Sequence, residues 1–372
     1  MEYIAKKTRI LLLNYEFPPL GGGAGPVSFE IAKNLASSGE ICIDVVTMGF
    51  KGLPQYEELS SCLKVYRVKC LRSKKEICHP WEQATYLFSA FFKCWELLRK
   101  NKYHINYTHF IIPTGALSLL LKWFFGLDYV ITSHGSDVIG YNKRFKFLYP
   151  LLFIPWKIII NGAKRISTPS NYLRTRILEV YKNLSPDKII VIPNGVEEGK
   201  FIPMKKEKYI LLVSRLFDNK GIQDFLSAIK DLDLGEWKVK IVGEGPYKEK
   251  LLAMVKLYNL SDKVEFLGWL DNSSRQMKDL YGHASIFVLA SHFENFNVTL
   301  MEALQAGCRV IASDVGGNKE ILTETGNLYH SEDIPMLTSL IKKSISEENH
   351  PIADSSRFHW KNIIRRYFEL LL

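Results

Sequence analysis

Cysteine is sparse in this chain of 372 residues and shows no paired spacing. The six, at positions 42, 62, 70, 78, 94 and 308, form no Cys-x-x-Cys and no metal-ligand rhythm. That excludes a zinc module or a disulfide framework, and their apolar surroundings predict free, buried thiols in a reducing compartment. Long apolar runs are also missing. Ala116–Leu121 with Trp123–Leu127, and Phe147–Ile160, are too short to span a bilayer. Lys6, Lys7 and Arg9 precede only Ile10 to Leu13, too little for a secretory core. No transmembrane helix or export signal is expected, which points to the cytoplasm. The chain has no internal repeat, no low-complexity tract and no nucleic-acid motif, so nucleic acid is not an expected partner.

Acidic residues are scarce in one half only. Residues 1–200 carry 27 Lys and Arg against 16 Asp and Glu, a net of +11, whereas the remainder has 22 against 23, a net of −1. A basic half suits an anionic partner such as a membrane surface, a phosphorylated lipid or a nucleic acid, or is simply a solvated basic face with no partner. Lys143, Arg144, Lys146 and Lys157, interleaved with Phe145, Phe147, Tyr149, Phe153 and Trp156, read either as a membrane-facing helix or as a packed helix with a basic outer face.

Short apolar runs alternate with stretches of helical periodicity along the whole chain. Strands are expected at Arg9–Leu13, Ile41–Thr47, Leu63–Val68, Ile105–Ile111, Tyr129–Thr132, Arg165–Thr168 and Lys188–Ile192, with helices between most of them. A polar segment with a proline, residues 197–208, reads as a linker. The alternation restarts at Tyr209–Ser214 and continues through Lys238–Val242, Val264–Leu267, Ser285–Leu289 and Cys308–Ala312. This pattern predicts an α/β chain of two doubly wound parallel-sheet domains.

The motifs fall at the carboxyl ends of expected strands, where ligands bind in open α/β sheets. Gly21-Gly22-Gly23-Ala24-Gly25 joins the first strand to a helix and offers free N–H groups to an anion. It is not Gly-x-Gly-x-x-Gly, which weakens a nicotinamide-dependent oxidoreductase. His134-Gly135-Ser136-Asp137 follows another strand, and its bland reading is a loop histidine capped by Asp137. Arg215 and Lys220 flank a strand-to-helix turn, a natural clamp for a diphosphate. Glu294 lies on the loop after the strand Ser285–Leu289, Glu302 lies in the next helix, and Gly316-Gly317 ends the following strand. Asp231-Leu-Asp233 imitates a metal-binding pair but falls on a turn, so no metal is expected.

Together with Pro193-Asn194-Gly195-Val196, Val242-Gly243-Glu244-Gly245-Pro246 and Phe266-Leu267-Gly268, these motifs resemble the retaining glycosyltransferases of family 4, of GT-B fold. The resemblance implies two Rossmann-like domains facing each other across a cleft. Residues 1–196 would bind the acceptor, with a helix at 358–372 crossing back, and residues 208–350 would bind the donor. The implied donor is a nucleotide-diphosphate sugar, used without cofactor or metal. The implied catalytic residues are His134, Arg215, Lys220 and Glu294. Gly22, Gly23, Gly243, Gly268, Phe296, Asn297, Val298 and Glu302 would contact the donor, and Asp137 the acceptor. That acceptor would be a saccharide or polyprenyl-linked glycan of surface polysaccharide synthesis. A sugar-nucleotide epimerase of related fold is the alternative. The chain departs from the family at Asn295 and Asn297, where glycine and glycine or proline are usual; asparagine tolerates positive φ better than most residues, so the loop is expected to survive, with the Asn297 side chain added near the donor sugar.

Overall fold

The computed structural model describes residues 7–75, 77–140, 149–322, 327–347 and 354–372. The chain divides into two compact units, Met1–Asn194 with Lys361–Leu372, and Gly195–Trp360.

In the first unit, β1 (Thr8–Leu13) carries the apolar run Ile10 to Leu13, fully buried as a central parallel strand must be. There follow α1 (Ala24–Ser37), β2 (Ile41–Met48), β3 (Tyr56–Ser60), β4 (Leu63–Val68), α2 (Pro80–Lys100) and β5 (Ile105–His109). Next come α3 (Thr114–Phe125), β6 (Tyr129–Thr132), α4 (Tyr149–Gly162), β7 (Ile166–Thr168), α5 (Asn171–Val180) and β8 (Ile189–Val191). The sheet order is β3-β4-β2-β1-β5-β6-β7-β8, parallel except for the edge strand β3. β3 was not expected, because Tyr-Glu-Glu-Leu-Ser has no apolar face. Cross-strand partners hold it instead: Tyr56 against Tyr66 at 5.2 Å and Glu57 against Arg67 at 2.7 Å.

Leu13, Thr108, Ile131 and Ile166 stand in one register row across β1, β5, β6 and β7, and so share a face. On that face α2 and α3 pack over Leu11 and Leu13, and α3 and α4 over Ile131 and Ile166. Trp156 of α4 belongs to this core, fully buried, with its indole N–H donating to the Asp137 carbonyl at 2.9 Å. The membrane-facing reading is therefore wrong at Trp156. Residues 143–147, the rest of that expected face, lie outside the described residues. Two cysteines also depart from expectation: Cys42 of β2 and Cys62, in the turn before β4, are joined as a disulfide, while Cys70, Cys78, Cys94 and Cys308 are free. The β2–β4 pairing brings Cys42 and Cys62 side by side, which their spacing in sequence does not reveal.

The second unit continues with β9 (Glu207–Val213), α6 (Ile222–Ile229), β10 (Lys238–Val242), α7 (Lys248–Leu257), β11 (Val264–Gly268), α8 (Arg275–His283) and β12 (Ala284–Leu289). It is completed by α9 (Val298–Gln305), β13 (Arg309–Ser313), α10 (Asn318–Ile321), β14 (Leu328–Tyr329) and α11 (Ile334–Ser346). All pairings are parallel, in the order β11-β10-β9-β12-β13-β14, with apolar clusters on both faces. From Lys361 onward, α12 (Trp360–Leu371) belongs to the first unit. There Arg366 donates to the Val191 carbonyl at 2.6 Å, and buried Tyr367 lies 6.4 Å from the Tyr107 ring.

Gly221 enters α6 at φ 65°, and a Cβ there would stand 1.8 Å from the Ala290 carbonyl oxygen. Gly221→Ala should therefore force the loops after β9 and β12 apart and cost about 3 kcal/mol or more. Urea unfolding measures this, and a loss below about 1 kcal/mol would contradict the close approach.

Candidate active site

Each sheet has one place where the chain reverses its direction of travel. In the second unit β9 leads to β10 and β11 on one side, whereas β12, β9's other neighbour, leads to β13 and β14. The loops leaving β9 and β12 therefore diverge at their carboxyl ends, which opens a crevice between them. Both carry charged residues, and three contacts join them. His292 N–H donates to the Asn219 carbonyl at 2.9 Å, Gly221 packs on Ala290, and Lys220 Nζ meets Glu294 Oε1 at 2.6 Å. The lysine and glutamate side chains are 16% and 11% exposed, so this ion pair is only partly screened by water. His292 is held in turn by the Asp224 carboxylate at 2.5 Å. Arg215, on the same β9 loop, is exposed, its guanidinium 5.2 Å from the Phe217 ring centre.

The stretch after β12 is anchored from below. Gly316, at φ 59°, packs where a Cβ would be 2.0 Å from the Glu294 carbonyl oxygen. Gly317 N–H donates to the Asn295 carbonyl at 2.6 Å. Asn297 does not use positive φ: at φ −85° it is the N-cap of α9, its side-chain oxygen accepting from Thr299 N–H at 2.8 Å. At Asn297 the loop therefore makes no use of asparagine's tolerance of positive φ; the side chain caps the helix instead. No positive φ occurs at Asn295 either. Phe296 is buried against Phe358 at 5.9 Å, and Val298 opens α9 against the same core.

The two glutamates have different partners. Glu302 is buried in α9, where Asn272 donates to Oε1 at 2.8 Å and Tyr281 to Oε2 at 3.0 Å. Burial pushes its carboxyl above the usual range, against the pull of those two hydrogen bonds. Gly243 follows β10 and Gly268 ends β11, and they are tied to each other, Gly243 N–H donating to the Gly268 carbonyl at 2.8 Å. Asp233 caps a turn by accepting from Gly235 N–H at 2.9 Å, and Asp231 is an exposed partner of Lys230. Among the described residues, no three His, Cys, Asp or Glu side chains gather as a metal site.

In the first unit the reversal falls between β1 and β5. The glycine loop leaves β1, and Phe110 leaves β5 at φ 73° with its ring 4.8 Å from that of Tyr15. A bulky residue in the left-handed region is strained, a condition that often marks a site. Gly22 N–H is occupied by the Glu16 carboxylate at 3.2 Å, and Gly23 is the N-cap of α1. Beyond β6, Asp137 is buried and organises its loop: Ser133 Oγ–H, His134 N–H and Gly135 N–H donate to Oδ1, and Ile111 N–H to Oδ2 at 2.7 Å. Burial raises its carboxyl pKa, and these donors oppose that. The structure thus gives Asp137 the work of loop capping.

Sequence reasoning missed His109, which it placed inside a strand. His109 ends β5, is fully buried, and its Nδ1 lies 2.9 Å from His134 Nε2 with the rings stacked. His109 Nε2 has no partner among the described residues. Leaving a lone pair unmet costs less than leaving an N–H unmet, so the proton belongs on His109 Nδ1 and is donated to His134. His134 then carries its own proton on Nδ1. Burial pushes His134 down to about 3 and His109 well below its ordinary value, so both rings are neutral at physiological pH.

The amino-terminal part, residues 21–200, matches the model of Glycosyltransferase Family 4, and residues 197–361 match that of Glycosyl transferases group 1. The chain belongs to the family 4 glycosyltransferases. A relative is the O-antigen chain mannosyltransferase RfbU of Salmonella typhimurium, 30% identical over 68% of this chain and 72% of that one. Among solved structures, sucrose-phosphate synthase from Thermosynechococcus elongatus superposes with a TM-score of 0.84 at 21% identity, covering 98% of both chains. HepE of Anabaena, in complex with UDP-glucose, superposes at 0.74 and 17% identity over 98% of this chain and 99% of that one. The glycosyltransferase therefore has the GT-B fold.

Two imidazoles kept neutral in the fold but protonated when unfolded make stability fall with acid. The loss begins as pH drops below the unfolded value near 6.5 and continues toward the folded value, about 3 for His134. His109→Gln removes one contributor. Between about pH 7 and pH 5 the variant should lose on the order of 1–2 kcal/mol less unfolding free energy than the wild type. Equal losses in urea titrations at the two pH values would refute the neutral pair.

Proposed function

We propose that this glycosyltransferase moves a hexosyl group, with retention at the anomeric carbon, from a nucleotide-diphosphate sugar to a saccharide or polyprenyl-linked acceptor in surface polysaccharide synthesis. The observation that carries the reading is the meeting of Lys220 and Glu294 at the reversal between β9 and β12, with Arg215 on the same loop. When the bond from the anomeric carbon to the diphosphate breaks, its electron pair leaves with the diphosphate. A fixed lysine and an arginine fork stabilise that developing charge without reorganising. No resident metal or cofactor enters this scheme. Glu294 orients Lys220 and touches the donor sugar. Glu302 keeps a second lone pair on each oxygen for ribose hydroxyls, beside the bonds from Asn272 and Tyr281. Neutral His134 serves as a hydrogen-bond donor to a sugar oxygen rather than as an acid.

UDP-glucose in the HepE structure supports a nucleotide-sugar donor, and the O-antigen substrate of RfbU supports a glycan acceptor. A lipid-linked acceptor suits the basic amino-terminal half and a peripheral contact with the cytoplasmic leaflet. Among the described residues, no helix is long and apolar enough to cross a membrane.

Lys220→Ala and Glu302→Ala should each lower transfer at least about 100-fold while leaving the protein folded. Wild-type turnover in both variants would sink the assignment. A thermal-shift screen of nucleotide sugars identifies the donor: at about 100 Kd it should add roughly 2.7 kcal/mol of stability. Activity should survive EDTA, and the product's anomeric NMR coupling reports retention.

A further inference from the structure

The sheet face that carries α2, α3 and α4 turns an unusual set of residues to solvent. Phe88, Phe92 and Trp95 of α2 are 69%, 56% and 41% exposed, and Trp123 and Phe124 of α3 are each 65% exposed. These rings do not stand singly. Phe91 meets Phe92, Trp95 and Phe124 within 5.9 Å, and Trp95 meets Phe125 at 5.4 Å, so one aromatic surface runs across the two helices. α4, packed against α3, adds Leu151 and Ile154, 74% and 67% exposed. Beside Phe88 opens a pocket of about 540 Å³ lined by Lys69, Cys70, Leu71, Thr85, Phe88 and Ser89. A soluble chain rarely leaves so connected an apolar face uncovered.

Charge indicates what covers it. The first unit holds 29 Lys and Arg against 15 Asp and Glu, a net of +14, whereas the second is −4. The three helices carry Lys93, Arg99, Lys100, Lys122 and Lys157 against the acids Glu96 and buried Glu82; Lys93 and Lys100 share Glu96, and Lys122 pairs with Asp128 just beyond α3. Exposed tryptophan and phenylalanine flanked by cations match the boundary between head groups and acyl chains of an anionic bilayer. We propose that the solvent-facing side of α2, α3 and α4 is a docking surface for an anionic membrane, its aromatic rings entering the interfacial layer and its lysines and arginines meeting lipid phosphates. This deepens the reading of a lipid-linked acceptor and differs from it in being testable without any acceptor.

The test is co-sedimentation of the full chain with vesicles of phosphatidylcholine alone or doped with phosphatidylglycerol, wild type beside Phe92→Ser/Trp123→Ser/Phe124→Ser. These side chains are exposed and lie outside the donor machinery, so nucleotide-sugar binding by thermal shift should be unchanged and certifies the fold. The wild type should bind the anionic vesicles, bind less as salt rises, and lose about tenfold or more of its partitioning in the triple variant. No binding to anionic vesicles, or equal binding by the variant, overturns the proposal. So does a dimer in sedimentation velocity that the triple variant dissociates, because a second copy then covers the face. Failure of donor binding in the wild type, with vesicle binding intact, would instead count against the proposed reaction alone.

Discussion

Parallel strands must be joined by right-handed crossovers, and a sheet built outward in both directions from its middle leaves one pair of neighbouring strands whose loops part company. That constraint governs each unit. Between β9 and β12 it leaves room for Lys220, Glu294 and Arg215, and between β1 and β5 for the glycine loop and Phe110. Close backbone packing then fixes the geometry. Gly221 against Ala290 and Gly316 against Glu294 leave no space for a side chain, so the loop carrying the ion pair is clamped from two sides.

Environment separates chemically identical groups within this frame. Glu294 and Glu302 have seven residues between them and lie on either side of a helix start, yet one is paired with a cation and the other is held by neutral donors in a buried site. Burial makes the Glu302 carboxyl resist its charge. The histidines follow the same logic. Buried His109 stacked on half-buried His134 places one proton between the two rings, and burial disfavours a positive charge on either.

Most of the architecture was legible in the sequence because short, β-branched strand segments alternate with stretches of helical periodicity. Leu63–Val68, Thr114–Phe125 and Lys238–Val242 lie where their periodicity put them. The site residues were legible as residues at strand ends, since the chemistry of a lysine or a glutamate after a strand is local information. What depended on partners distant in sequence was not. β3 has no apolar face and is recognisable only from its pairing with β4. His109 looks like strand interior until the strand is seen to end there. Trp156 sits among lysines and aromatics that suggest an outward face, but its indole N–H has a carbonyl to satisfy, so it turns inward. Asn297 was read through backbone tolerance when its side chain was the relevant part.

That last residue couples two properties. The oxygen that caps α9 sits on the loop that bears Glu294, so the stability of the helix and the shape of the loop are inherited through a single side chain. Alanine at a cap costs roughly 1 kcal/mol, whereas glycine costs only a few tenths. Evolutionary change at this position is therefore channelled: routes from asparagine to glycine or another capping residue stay open, and routes through apolar residues must first find compensation elsewhere in the helix.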